Sequence, residues 1–280
     1  TTVGDINDDE LIIECDSITF AIIYRQLKVY KLKSKITIKE IPELNSIFIP
    51  FPETKCESLG LNEQGIVACG KDTRLNSFGT RFVINDKTFE SIMSNMKKRD
   101  MKKQEGRKNN VLSFTYDQYR YTHGVAEGSE IIGSTPIECN LDFLSAVSFN
   151  KGCYIGQELV SRSKHTGVIR KRILPFVLDT NNNRKDSNRL MCKSLSQINE
   201  MILNTTNISN SNTTHEYHSI KKETPIYFFE DGTEIGKVVA FSDGVGLAMM
   251  RLQSLKEKEG KAVQVQGLPI KVMKPNWFET

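Results

Sequence analysis

The sequence predicts an α+β protein that ends in an antiparallel β-barrel, and three observations carry that expectation. Before about residue 170, helical-period segments alternate with short β-branched runs. From Thr224 onward the pattern is all β, with turn residues at short, regular spacing. Between these regions lies a polar stretch, Thr180–Glu223, that holds nine asparagines. Hydrophobic residues make up 38% of the 280-residue chain, which is low for a globular protein, and this stretch holds much of the deficit. The remainder can still build a core, and the length allows two domains.

Residues 1–10 are polar and acidic and read as a loose end, followed by a short strand at Leu11–Cys15. Asp16-Ser17 offers an N-cap. Ile18, Ala21, Ile22, Arg25, Val29 and Leu32 then recur at helical spacing, which predicts an amphipathic helix over Ser17–Lys33. Lys31, Lys33 and Lys35 sit at its end, where cations complement the helix dipole. Ile36–Ile41 alternates and is β-branched, so it reads as a strand. Further strands are expected at Ser46–Pro50, Gly65–Cys69 and Phe82–Ile84, and a second helix at Thr88–Lys98. This order predicts a ferredoxin-like half. Asp72-x-Arg74 and Gly79-x-Arg81 read as a turn held by Asp–Arg hydrogen bonds rather than as ligand contacts. Met96–Lys108 holds seven Lys/Arg against two Asp/Glu, but no aromatic residue interleaves. It reads as a solvated helix end or loop, and no nucleic-acid partner is expected.

Phe114–Tyr121 carries three tyrosines and a phenylalanine. His123, just beyond it, reads as a hydrogen-bonded structural residue. Asp142–Val147 is expected to be a short helix capped from Asn140. The densest chemistry follows in Lys151-Gly152-Cys153-Tyr154-Ile155-Gly156-Gln157-Glu158. Gly152 and Gly156 permit backbone conformations closed to other residues. They imply a sharp turn that presents Cys153 and Tyr154, with a short helical or extended run from Gln157. Lys151 precedes Cys153, and Arg162 and Lys164 follow it. Nearby cations favour the thiolate, the form that binds a metal or attacks a disulfide. Cys153 is therefore the candidate functional thiol and a candidate metal ligand. One thiolate cannot hold a cluster alone, so the other ligands would come from a partner protein, glutathione or a second copy of the chain. The bland alternative makes Cys153 a small filler under the turn.

The string Lys-Gly-Cys-Tyr-x-Gly-Gln-Glu resembles the signature of the YgfZ-type branch of the GcvT/YgfZ-like folate-binding family, which also contains the aminomethyltransferases. The flanks agree: Pro136–Leu141 and Val147–Phe149 resemble the family's lead-in, and Gly167–Arg172 its exit. The likeness is greatest to the mitochondrial iron–sulfur cluster assembly factors of this branch. It runs from about Leu11 to Trp277, apart from one insert. The resemblance implies an aminomethyltransferase-like three-lobed fold, with the N-terminal part of the first lobe missing from this chain. On that expectation residues 1–170 form the folate-binding region. A ferredoxin-like lobe would occupy about 13–109, and the chain would return to a central lobe over 110–170. Residues 171–280 would form the barrel, with the low-complexity insert at 180–223.

The implied function is late [4Fe–4S] cluster maturation in the mitochondrial matrix, with the targeting segment outside this chain. The implied cofactors are tetrahydrofolate and a transient iron–sulfur cluster, and the implied partners are assembly proteins of the A-type scaffold class. Lys151, Gly152, Tyr154, Gly156, Gln157, Glu158 and Arg120 are the cofactor-binding residues so implied. The runner-up is a folate-dependent aminomethyltransferase. Against it, the family's Arg-Leu-Glu-x-Gly stretch, whose Glu helps hold the pterin, is matched here by Arg120 and Gly124 but has Thr122 at the Glu position. The transferases also show an Asp-Phe pair where this chain has Cys153-Tyr154. A third reading is a binding module without folate.

After the signature, Val168–Leu178 alternates as a long strand. The insert carries one apolar set at helical spacing (Leu190 to Ile202) and is expected to be an irregular excursion. Ile226–Phe229 and Glu234–Phe241 read as strands joined by an Asp231-Gly232 turn. Gly244-x-Gly246 reads as a turn entering a buried strand, not a phosphate loop. Val263–Gln266 and Ile270–Met273 complete the barrel, and Trp277 is expected to pin the tail. The six cysteines, Cys15, Cys56, Cys69, Cys139, Cys153 and Cys192, show no C-x-x-C or metal-finger spacing, which fits a reducing compartment. The net charge of +4 is mild. No apolar run reaches the length of a membrane span, so no membrane insertion is expected.

Overall fold

The computed structural model describes residues 2–7, 10–50, 65–76, 78–103, 115–154, 156–165, 167–179, 220–275 and 277–278. Cys56, Cys192, His215, His218 and the body of the polar insert lie outside these residues. The chain divides into two compact units, Thr1–Val111 and Leu112–Thr280.

The first unit opens with β1 (Thr2–Asn7) antiparallel to β2 (Glu10–Ile13). The loose end expected at residues 1–10 is thus a strand. Ladder hydrogen bonds come from the backbone, so a polar sequence does not prevent one. Helix α1 (Ser17–Tyr30) is capped by Asp16, whose carboxylate accepts the Ile18 N–H at 2.7 Å. It stops three residues short of the expected Lys33, and Leu32 takes a positive φ of 49° in the turn beyond. Its expected core stripe points outward: Ile18 is 73% and Leu32 82% exposed, while Phe20, Ile23, Tyr24 and Leu27 are half-buried.

Ile36–Ile41 is not a strand. The segment runs over the surface with Ile36 exposed, and β-branching alone cannot supply a ladder partner. Strands β3 (Leu44–Ile49), β4 (Ile66–Lys71) and β5 (Thr80–Asn85) form an antiparallel sheet in the order β3-β5-β4. Helix α2 (Asp86–Lys103) follows, longer at both ends than expected. Central β5 is the most buried strand, and Phe82 and Ile84 pack with Ile47, Ile66 and Phe89. The Asp72 turn is held as expected. Its carboxylate accepts from Arg74 N, Nε and Nη2 at 3.1, 2.9 and 2.7 Å, while Arg81 bridges it to Glu14.

The second unit is organised on a closed six-stranded antiparallel barrel in the order β10-β11-β6-β9-β8-β7. Its strands are β6 (Lys171–Leu178), β7 (Pro225–Phe228), β8 (Glu234–Ser242), β9 (Val245–Arg251), β10 (Val263–Val265) and β11 (Leu268–Val272). A short helix, Leu252–Glu257, follows β9, where the sequence reading had no element. Strand β6 begins at Lys171, three residues later than expected, and is buried on both faces. Leu174, Phe176 and Leu178 fill the barrel with Ile226, Phe228, Ile235 and Met250. Ile173 and Val177 face outward into a second cluster with Tyr121, Ala126, Cys139 and Leu247. That cluster fastens α3 (Tyr116–Thr122) and the following turns to the barrel wall. Fully burying a large apolar side chain is worth about 1.5–3 kcal/mol, so this wall is a substantial anchor. Trp277 pins the tail as expected, its indole N–H donating to the His123 carbonyl at 3.0 Å.

Candidate functional site

The signature hangs on a loop whose two ends are tied together. The lead-in does not form the helix expected over Asp142–Val147. It is a run of overlapping turns, because Asn140 (φ 63°) and Ser145 (φ 54°) adopt left-handed backbone that interrupts a helix. Asn140 is fully buried, and its side-chain amide donates to the Ile173 carbonyl of β6 at 2.7 Å. The Ile173 N–H in turn donates to the Glu138 carbonyl at 2.9 Å. Arg172, 4% exposed, closes the tie. Its Nη1 donates to Ile137 O at 2.7 Å and Asn140 Oδ1 at 3.3 Å, and its two terminal nitrogens hold both Asp142 oxygens at 2.8 Å. The guanidinium also lies over the Phe143 ring, 4.4 Å from its centroid. The quoted lead-in and exit are therefore bonded to each other, and residues 143–171 form the loop between them.

On that loop Lys151, Gly152 and Cys153 are exposed, Tyr154 is half-buried, and helix α4 (Gln157–His165) follows. Gly156 has a φ of 87°, which requires glycine. A Cβ at Gly152 or Gly156 would meet no atom within 4 Å, so both glycines border open space beside Cys153. The Tyr154 N–H donates to Gln157 Oε1 at 3.3 Å, and the Gln157 N–H returns to Tyr154 O at 3.2 Å, which sets the turn before the helix. Lys151 Nζ sits 4.4 Å from the Tyr154 ring centroid, and Lys164 Nζ sits 4.5 Å from that of Phe149. Glu158 is exposed in the first turn of α4, where a carboxylate suits the helix dipole. Arg162, Lys164 and His165 occupy the last turn.

Arg120 is buried among its own sequence neighbours. It donates to both Glu130 oxygens at 2.7 and 2.8 Å, to Asp117 at 2.7 Å and to Val125 O at 3.2 Å. Burial opposes its charge, but Glu130, Glu127 and Asp117 overcome that and keep the guanidinium protonated. Burial and the Glu130 charge push the Tyr121 phenol up, and its hydroxyl also donates to Glu130 at 2.8 Å. Thr122, at the position where the family's transferases carry Glu, spends its hydroxyl on Tyr119 O at 2.7 Å. His123 Nδ1 lies 2.8 Å from the same carbonyl, and burial holds the imidazole below its usual pKa. This stretch thus gives a pterin ring no carboxylate at Thr122, and the described hydrogen bonds of Arg120 turn inward. The residues here do not fit the transferase mode of holding folate.

Among the described residues Cys15, Cys69, Cys139 and Cys153 are free thiols. Burial pushes Cys139 up to about 11 and also raises Cys15, which makes both poor thiolates at neutral pH. Cys153 and Cys69 are the exposed ones. Among the described residues no three His, Cys, Asp or Glu side chains gather to hold a metal ion, and no helix is long and apolar enough to cross a membrane. Sequence reading quoted both halves of the Arg172–Asp142 tie but missed the tie itself. Its signal was an arginine continuous with the apolar run of β6.

Residues 170–280 match the family described as the CAF17 C-terminal beta-barrel domain. The chain is also similar to "Iron-sulfur cluster assembly factor IBA57, mitochondrial" of Mus musculus, at 34% identity over 175 residues, covering 60% of this chain and 45% of the mouse protein. The human protein of the same name is 34% identical over 170 residues, covering 59% and 44%. The Neurospora crassa homologue is 34% identical over 178 residues, covering 60% and 38%. The chain spans less than half the length of these relatives. The signature, the barrel and these likenesses converge: over part of their length, the chain is similar to the IBA57-type iron–sulfur cluster assembly factors.

Proposed function

We propose that this protein acts in late [4Fe–4S] cluster maturation in the mitochondrial matrix, with Cys153 as its functional thiol. The observation that carries the reading is an exposed cysteine, flanked by glycines that border open space, on a loop clasped at its base by Arg172. A rigid base with an open tip suits a residue that must meet a partner, and function is commonly carried on such loops. The cluster is cargo here. With one cysteine on the loop, the remaining ligands would come from a partner, an A-type scaffold protein being the class the family points to, or from glutathione or a second copy.

Tetrahydrofolate is proposed as a ligand and not as a reactant. Lys151, Gly152, Tyr154, Gly156, Gln157, Glu158 and Arg120 are the residues proposed to bind it. The domain division proposed is a folate-binding region over 1–170 and the barrel over 171–280.

Thr122 supports the assembly reading over aminomethyl transfer, because its hydroxyl is already engaged. The test is a glycine-cleavage reaction lacking only its aminomethyltransferase. Adding the full-length protein is expected to leave it inactive, while the same protein restores [4Fe–4S] enzymes in cells depleted of their own factor. Restored glycine cleavage at ordinary enzyme rates would overturn the proposal.

A further inference from the structure

A groove of about 510 Å³ on the wall of the barrel is left unused by the proposed function. It falls in the size range of small-molecule sites, roughly 300–1,000 Å³. Neither Cys153 nor any other signature residue lines it. Val239 and Met249 give it an apolar floor, and Lys171, Lys222, Lys237 and Arg251 give it a cationic rim.

Three carboxylates also reach it, Glu130, Glu223 and Glu234, but each is already engaged. Glu130 is bound on both oxygens by Arg120 and by the Tyr121 hydroxyl. Glu223 pairs with Lys237 at 3.3 Å, and Glu234 sits 3.9 Å from Arg251. Lys171 has no carboxylate partner among the described residues, and Lys222 Nζ donates to a neutral acceptor, Ser129 O, at 3.0 Å. Lys171 and Arg251 are also direct partners across the β6–β9 ladder. Like charges directly opposite on a sheet face repel, and Glu234, 3.9 Å from Arg251, offsets this only on the Arg251 side.

We propose that the groove binds a small organic anion. Its acidic group is seated between Lys171 and Arg251, a second contact runs to Lys222, and its apolar body lies on Val239 and Met249. A carboxylate and a phosphate share the chemistry that this rim recognises.

The probes are phenyl phosphate, phthalate and inorganic phosphate, titrated calorimetrically into the whole chain at fixed ionic strength. At least one of the two aromatic anions is expected to bind and to outcompete inorganic phosphate, because only it uses the apolar floor. Which one binds decides between the phosphate and the carboxylate source. The double variant Lys171→Gln/Arg251→Gln is expected to fold as the parent does, since both side chains are exposed and the repulsion it removes offsets the loose Arg251–Glu234 pair it loses. It is expected to weaken binding about tenfold or more, the worth of a lost charge-assisted hydrogen bond. Lys256→Gln, on the short helix after β9 and outside the groove, is the control and is expected to bind as the parent does. Absence of binding by both aromatic anions, equal binding by the double variant, or equal loss in the control would overturn the proposal. Each of these outcomes leaves the assembly role standing, because that role uses no groove residue.

Discussion

Replacing Arg172 by Met tests the tie that carries the signature loop. Methionine retains an unbranched stem against Phe143 but removes the charge and all four hydrogen bonds to Ile137, Asn140 and Asp142. Arg172 is 4% exposed on its side chain and Asp142 9%, so the variant strands a largely buried carboxylate. Breaking such a pair from one side costs about 3–5 kcal/mol. That is a large share of the roughly 5–15 kcal/mol that holds a domain together. With a urea slope of about 1–3 kcal/mol per molar, the midpoint should fall by at least about 1 M. Trp277 is the only tryptophan in the chain, and its ring lies 5.9 Å from that of Phe143. Its fluorescence during urea unfolding therefore reports on this cluster. The double variant Arg172→Met/Asp142→Leu leaves no stranded charge and should recover part of the loss. A loss below about 1 kcal/mol in the single variant would place the pair with ordinary surface salt bridges and refute the clasp.

Three further outcomes are expected. Burial alone would raise the Asp72 carboxyl, but the hydrogen bonds and charge of Arg74, with Arg81, hold it below its ordinary value. Its folded pKa is therefore depressed. The stability it contributes is full above the unfolded value of about 3.9 and is lost as pH falls through the folded value. In denaturation across pH, Asp72→Asn should be less stable than the parent at neutral pH, with the gap closing below about pH 4; a gap that widens in acid would contradict the assignment. Gly246→Ala should cost about 1–3 kcal/mol by thermal unfolding, because the new Cβ would lie 2.4 Å from the Phe176 ring and 2.8 Å from Ala240 O. Replacing residues 180–219 by a short Gly/Ser linker should leave the melting temperature within a few degrees. The flanks are held independently, by the Asp179 N–H on Pro269 O and by Ile220 in the barrel core, and closure entropy changes slowly with loop length.

The barrel was legible in the sequence because its signals are local. Asp231-Gly232 and Gly267 mark turns, and β7 and β11 alternate as half-buried strands do. The signature was legible as an exposed turn because paired glycines around a cysteine and a tyrosine do not pack as a core strand. What could not be read depends on distant partners. Asn140 looked like a helix cap, but its side chain is spent on Ile173 and its backbone is left-handed. Asp142 and Arg172 are 30 positions apart, and nothing between them marks the pairing. Ile36–Ile41 has the composition of a strand and lacks a partner among the described residues, whereas Thr2–Asn7 lacks the composition and has one. The outward stripe of α1 shows the same limit, since periodicity finds a helix but not the side on which the chain packs.

The most direct test of the account is the fate of [4Fe–4S] enzymes when Cys153 alone is changed. Cys153→Ser keeps size and weakens thiolate chemistry, and Cys153→Ala removes it. The residue is exposed, so both variants should match the parent in melting temperature. Expressed at parental levels in cells depleted of their own factor, each should fail to restore aconitase-type activity, while enzymes that carry no cluster stay normal. Full restoration by both variants would contradict the account and move the functional centre away from this loop.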